Sequence, residues 1–287
     1  GSQDASNTPI MIADANADGV QEVFYKYGYF ASPQYFLFFD ALEWDGHSFR
    51  SLIPKGVGTS SFDGPSLKDV DGNGTLEIFL TQEVMTRISQ CDAGPTRNPI
   101  DILTWDGEYY RYMWTDPGIP EYRFQTAFDG DYYVTVGLLD RAESMYLQAL
   151  SDPKLEAFIW KEWAKYFGIF CGIDWQISEP NEPQYIRAYT RLRLLELYVY
   201  QEKIDEAKTI WQSINGHKAT ITEKSYASLA QTFWVTFQSG NSIEAACNII
   251  EGKAAEMKEE LFSWMVYGYQ NPGPTAETIC PFHSGSG

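Results

Sequence analysis

Two stretches of this chain place oxygen-bearing side chains at alternate positions, the pattern a hard divalent cation selects. The first is Asp14-Ala-Asn16-Ala-Asp18-Gly-Val20-Gln-Glu22; the second, 55 positions further on, is Asp69-Val-Asp71-Gly-Asn73-Gly-Thr75-Leu-Glu77. Calcium takes about six to eight oxygen ligands in a flexible shell, whereas magnesium wants a tighter octahedron with fewer protein ligands, so two Ca2+ sites are expected. In the first loop the expected ligands are the side chains of Asp14, Asn16 and Asp18, the carbonyl of Val20 and the closing carboxylate of Glu22. In the second they are Asp69, Asp71, Asn73, the carbonyl of Thr75 and Glu77. Gly19 and Gly74 permit the sharp bend such a loop needs. Ordinary Asx-rich turns would account for the residue types but not for a full ligand set recurring in tandem.

Other chemistry is sparse. The three histidines, His47, His217 and His283, stand apart, and no Gly-x-Ser-x-Gly elbow is present. Cys280-x-x-His283 is half a zinc pattern without a second half. A glycosidase needs only two carboxylates, and 39 acidic residues leave that open, so the reading is a binding module rather than an enzyme. The net charge of -18, with 39 acids against 21 Lys and Arg, excludes non-specific nucleic-acid binding and disfavours anionic membrane surfaces. No apolar run approaches the roughly 20 residues that span a bilayer.

The compartment follows from the cation. Extracellular calcium fills sites of modest affinity, while cytosolic calcium fills only dedicated sensors and buffers, so the expected location is extracellular or at the cell surface. Gly1-Ser2 resembles a cloning remnant, and any signal or anchor is expected outside this sequence. Four cysteines allow two disulfides. Cys247 with Cys280 would tie down a breaker-rich tail, and Cys91 with Cys171 could coexist with it; buried free thiols are the alternative.

The loops must be held by something, and a hydrophobic fraction of 44% supports one large core or two ordinary ones. From residue 8 to about 115, short aromatic and β-branched runs alternate with Gly, Pro, Asn and Asp clusters, an all-β signature. Each acidic loop runs into a strand, and each is followed by a hairpin, Leu42 to Arg50 and Ile102 to Arg111, turning on Asp45-Gly46 and Asp106-Gly107. Trp44 with Phe49, and Trp105 with Tyr110, are placed to pack across those turns. The hairpins are 61 apart, so the second copy carries an insertion, read as Cys91 to Pro99.

These residues resemble the FG-GAP or VCBS repeats of integrin-like β-propellers, in which such a loop leads into an apolar strand. The resemblance covers about 110 residues and implies two propeller-blade-like units with calcium loops. An EF-hand fits only the first five loop positions, because the twelfth, which should be a bidentate Glu, is Tyr25 or Leu80.

Residues 116 to about 135 read as a connection with one more short strand. Beyond it the period becomes 3.6. A helix is expected from Leu138 to Leu150, then another capped by Asp152-Pro153 and carrying a stripe from Leu155 to Phe170. Ile186, Tyr189, Leu192, Leu195 and Val199 mark the buried face of the next, with Arg187, Arg191 and Glu196 opposite. A helix to about Ile214 follows. Thr220 with Glu223, and Asn241 with Glu244, form capping patterns for two more, and Gly240 ends the first of these. The spacings Ala142-x3-Tyr146-x2-Ala149-x3-Pro153 and Ala207-x3-Trp211 resemble the second helices of degenerate tetratricopeptide (TPR) repeats, which implies a helical-hairpin domain presenting a surface to protein partners.

The expectation is therefore an α+β chain: a calcium-binding β-repeat domain over 1–123 and an α-helical repeat domain over 124–287. The expected role is an exported, bacterial, non-catalytic module for protein binding or surface assembly. The alternative is a carbohydrate-binding or carbohydrate-processing surface protein, for which Trp114, Trp160 and Trp175 are the candidate stacking residues.

Overall fold

The computed structural model describes residues 8–31, 34–53, 57–59, 64–82, 94–159, 180–216, 219–240, 242–265, 267–268 and 271–282. The chain divides into two compact units, Gly1–Ile88 with Thr96–Ile119, and Ser89–Pro95 with Pro120–Gly287. Antiparallel strands make up the first and helices the second, so the chain is α+β.

Strands β1 (Thr8–Ala13), β2 (Glu22–Ala31), β3 (Gln34–Trp44) and β4 (Phe49–Ser51) form a meander in that order, and β5 (Val57–Thr59) pairs with β3. A second meander repeats the plan with β6 (Ser66–Lys68), β7 (Glu77–Thr81), β8 (Ile100–Trp105) and β9 (Tyr110–Asp116). Both sheets are open among the described residues, so no closed barrel or ring is present there. Each acidic stretch is the connection between the first two strands of its meander. Alternation along the strands sends one face inward. Phe24, Phe39, Ala41, Leu52, Ile78, Leu80, Leu103 and Tyr110 from both sheets share one buried core, which also holds Ala15 of the first loop.

The two aspartate-glycine hairpins match in detail. The Asp45 carboxylate accepts the N–H groups of His47 and Ser48, both at 2.8 Å, and Asp106 does the same for Glu108 and Tyr109 at 2.9 and 2.7 Å. Trp44 meets Phe49 at 5.2 Å between ring centres, and Trp105 meets Tyr110 at 5.1 Å, as their cross-strand positions require. Trp114 is buried, 7% exposed, and offers no platform for a sugar; Trp160 and Trp175 lie outside the described residues. The insertion is described only from Gly94 onward, and Cys91 and Cys171 also lie outside the described residues.

Among the described residues the helices of the second unit are α1 (Arg123–Thr135), α2 (Leu139–Ser151), α3 (Glu182–Tyr200), α4 (Ile204–Asn215), α5 (Ile221–Gly240), α6 (Ile243–Glu256) and α7 (Lys258–Phe262). Three expectations are corrected here. Residues 123–135 form a helix, not a connection: Gly130, which reads as a breaker, lies against the Tyr146 ring of α2, where a Cβ would fall 2.3 Å from a ring carbon. Gly130→Ala is accordingly expected to cost up to about 2 kcal/mol net, overpacking of about 1–3 kcal/mol outweighing the roughly 1 kcal/mol gained from helix propensity, measured by urea unfolding. No helix starts at Asp152-Pro153. The Asp152 carboxylate instead accepts the Lys154 N–H at 2.8 Å in an Asx-type turn. The Arg123 guanidinium meanwhile gathers the carbonyls of Ala149, Asp152 and Leu155, and Glu156 pairs with Tyr122. Residues 160–170 of that stripe lie outside the described residues. The cap of α6 is Ser242, whose hydroxyl accepts the Ala245 N–H at 3.2 Å, and Asn241 lies outside the described residues.

The Thr220–Glu223 capping box forms as expected, with the Glu223 N–H donating to Thr220 Oγ1 at 3.2 Å and the Thr220 N–H to Glu223 Oε2 at 3.0 Å. Helix α3 is buried on nearly every side. Glu196, expected on a polar face, is fully buried because Arg193, itself 2% exposed, donates to it at 3.0 Å. Cys247 of α6 and Cys280 are bonded, with sulfurs 2.06 Å apart.

Glu182 opens α3 in a buried position, with the Tyr267 hydroxyl donating to its Oε1 at 3.0 Å and its Oε2 unpartnered. Burial pushes this carboxyl up to about 7, against that hydrogen bond and the charges of Arg123 and Arg187, which pull it down. The folded state therefore holds a proton that the unfolded chain releases near 4.5, so stability falls as pH rises from about 4.5 to 7 and then levels off. Glu182→Gln is expected to gain on the parent protein by up to about 3 kcal/mol between pH 5 and 8, read from paired urea melts.

Candidate metal centre

In the first loop, carboxylate oxygens of Asp14, Asp18 and Glu22 lie within 4.8 Å of one another; in the second, those of Asp69, Asp71 and Glu77 do. Each triad joins two exposed aspartates to one buried glutamate. The middle acid sits at the fifth position of one loop and the third of the other, because Asn16 and Asp18 exchange types with Asp71 and Asn73.

The loops are built alike by backbone donors. At the second position, Ala15 N–H donates to Glu22 Oε2 at 2.7 Å, and Val70 N–H to Glu77 Oε2 at 2.9 Å. At the sixth position, Gly19 N–H donates to Asp14 Oδ2 and Gly74 N–H to Asp69 Oδ2, both at 3.1 Å. At the seventh, Val20 N–H reaches Asp18 Oδ1 at 2.8 Å and Thr75 N–H reaches Asn73 Oδ1 at 2.7 Å. The chain takes left-handed backbone at the fourth and sixth positions of both loops, with φ of 61° and 89° at Ala17 and Gly19, and 76° and 90° at Gly72 and Gly74. That curvature accompanies the convergence of the three acidic side chains in each loop.

No family model, curated protein or solved structure matches the chain. The loops must be interpreted from their own chemistry, and the informative atoms are the second oxygens of the closing glutamates. Glu22 is 0% exposed and Glu77 1%, and in each Oε1 has no hydrogen-bond partner. A buried carboxylate oxygen left unpaired is costly, and two at equivalent positions call for a common explanation. A cation held by the converging acids supplies one. Burial pushes the Glu22 carboxyl up to about 7; the Ala15 N–H lowers it, and the charges of Asp18, Asp14 and Glu43 raise it further. A dication between those acids would reverse the sign of that field. The donors present, carboxylates with amide and backbone oxygens, fit a hard divalent metal ion.

Glu43 was not legible as part of this site. It is buried on β3, and its Oε2 accepts from Asn16 Nδ2 at 3.0 Å, which turns Asn16 Oδ1 back into the loop, where it accepts the Asp18 N–H at 3.0 Å. Arg50, opposite Glu43 in the register of β3 and β4, bonds Oε1 at 2.8 Å. At the equivalent place in the second meander stands Thr104, and Arg111 turns to Asp106 instead. The first loop is thus braced by a carboxylate–guanidinium pair that the second lacks.

The helical unit has a cavity of about 840 Å3 lined by Phe128, Asp131, Arg193, Tyr200 and Phe282, among others. Two of its charged residues are engaged with each other: Asp131 accepts from Arg193, and also from Tyr146 and Tyr189.

Proposed function

We propose that the first unit is a calcium-binding β-repeat module that holds one Ca2+ in each acidic loop, within an exported, non-catalytic protein whose helical unit serves protein–protein interaction or surface assembly. The observation that carries the reading is the matched pair of buried glutamates, Glu22 and Glu77, each with one oxygen fixed by a backbone N–H and the other unpaired. The shell in each loop is completed by Asp14, Asn16, Asp18 and the Val20 carbonyl, and by Asp69, Asp71, Asn73 and the Thr75 carbonyl.

The two four-stranded meanders, each with its acidic loop between first and second strands, support the likeness to propeller blades of the FG-GAP and VCBS type. A bonded Cys247–Cys280 pair supports an oxidising compartment, where calcium is also plentiful. Short turns between paired helices support a TPR-like arrangement, whose stacked hairpins commonly offer a binding face.

Calorimetric titration with calcium chloride tests the cation reading. Two ions per chain are expected, with Glu77→Gln reducing the count to one; a chain that takes up no calcium at millimolar concentration would sink it. Pull-down with the helical-unit surface is secondary to that result.

A further inference from the structure

We propose that the two acidic loops act as a coupled pair, in which a cation held by one raises the affinity of the other through the hydrogen bond that joins Leu76 to Ala15. This rests on the cation reading above and adds to it how the two sites communicate.

Leu76 lies between Thr75 and Glu77 of the second loop, and Ala15 between Asp14 and Asn16 of the first. The Leu76 N–H donates to the Ala15 carbonyl at 2.7 Å. The peptide on the other side of Ala15 donates its N–H to Glu22. Ala15 is fully buried in the shared core, so neither peptide group has water as an alternative partner. Drawing Glu77 and Thr75 around a cation therefore fixes the Leu76 N–H, which fixes Ala15 and, through it, the closing carboxylate of the first loop.

Coupling of this kind is reciprocal, so the same factor applies in either direction. The order of filling is set by the brace. Asn16 is already oriented by Glu43 and Arg50, so the first loop has less to organise and fills first. Repulsion between the two dications opposes the effect. The aspartates facing it are exposed, and at about 0.15 M salt the screening length is about 8 Å, so the repulsion is partly screened at physiological salt and grows as salt is removed.

The test is calcium titration of the whole chain at about 0.15 M salt, alongside Asp14→Asn and Asp69→Asn. These variants weaken one loop while leaving an oxygen to accept the Gly19 or Gly74 N–H. Each variant is expected to bind calcium at its intact loop about 5- to 10-fold more weakly than that loop binds in the parent with its neighbour filled. In Asp69→Asn, filling the first loop alone is expected to slow amide exchange at Leu76 several-fold. Equal or tighter binding in the variants, with Leu76 exchange unchanged, overturns the coupling and leaves the cation reading standing. A parent chain that binds no calcium overturns both. Should a variant fail to fold, Leu76 exchange in the parent at half-saturating calcium decides: protection rising in step with the first site supports coupling, and protection rising only with the second removes it.

Discussion

Replacing Arg193 by methionine is expected to destabilise the helical unit by about 3–5 kcal/mol, the usual consequence of removing one partner from a buried charge network. Arg193 donates through Nε to Asp131 at 2.8 Å, and through Nη1 to Glu196 at 3.0 Å and to the Ile279 carbonyl at 2.8 Å. Methionine fills similar volume but leaves Asp131 as an anion held only by the Tyr146 and Tyr189 hydroxyls. Burial already holds the Glu196 carboxyl up at about 8, against the opposing pull of Arg193, and loss of that pull drives it higher. The penalty should therefore be larger at pH 9 than at pH 6. Urea unfolding followed by far-ultraviolet circular dichroism measures it. A loss below about 1 kcal/mol would mean the network is worth no more than an exposed ion pair. Adding Glu196→Leu to the methionine variant should recover part of the loss, since an apolar pair requires no desolvated charge to be matched.

The second large effect is calcium removal. Each site saturated a hundredfold above its dissociation constant stabilises the folded form by about 2.7 kcal/mol, so two filled loops contribute on the order of 5 kcal/mol. Chelation should lower the midpoint of the β-unit transition in a thermal scan, and near-ultraviolet signals from Trp44 and Trp105 should report it before the helical signal at 222 nm moves. Asp71→Ala should reproduce about half of that loss, because it disables one loop of two. Identical melting with and without chelator, together with no heat of binding, would remove the cation from the account. A single transition shared by the sheets and the helices in Asp71→Ala would show that the two units do not unfold as separate bodies.

The parts of this protein that were legible in sequence are those decided by neighbours along the chain. The acidic loops, the Asp45-Gly46 and Asp106-Gly107 turns and the Thr220–Glu223 box all form within nine residues, so type and spacing were enough. What escaped was decided at a distance. Asn16 meets Glu43 from 27 positions away, and no local period announces that contact. Gly130 and its acidic neighbours read as a break, yet the tight fit against Tyr146 makes that glycine suited to a helix interior. Asp152-Pro153 has the chemistry of a helix start, but Arg123 draws the carbonyls around it into a turn. Glu196 reads as a polar-face residue because nothing in the sequence marks Arg193, its hydrogen-bond partner on the same helix, as buried.

The bond between Cys247 and Cys280 also determines how the helical unit would respond to tension. A pull applied beyond Cys280 passes through the sulfurs directly into α6, bypassing the span between the two cysteines, which stand 33 positions apart. Helix α7 and Tyr267, whose hydroxyl reaches Glu182 of α3, lie in that bypassed span, which would carry no load along its backbone while the bond is intact. Stretched to rupture, the oxidised chain should come up short of the reduced one by about 110 Å, the extended length of the span at roughly 3.4 Å per residue. Reduction thus turns a sheltered segment into an extensible one without altering the helices on either side.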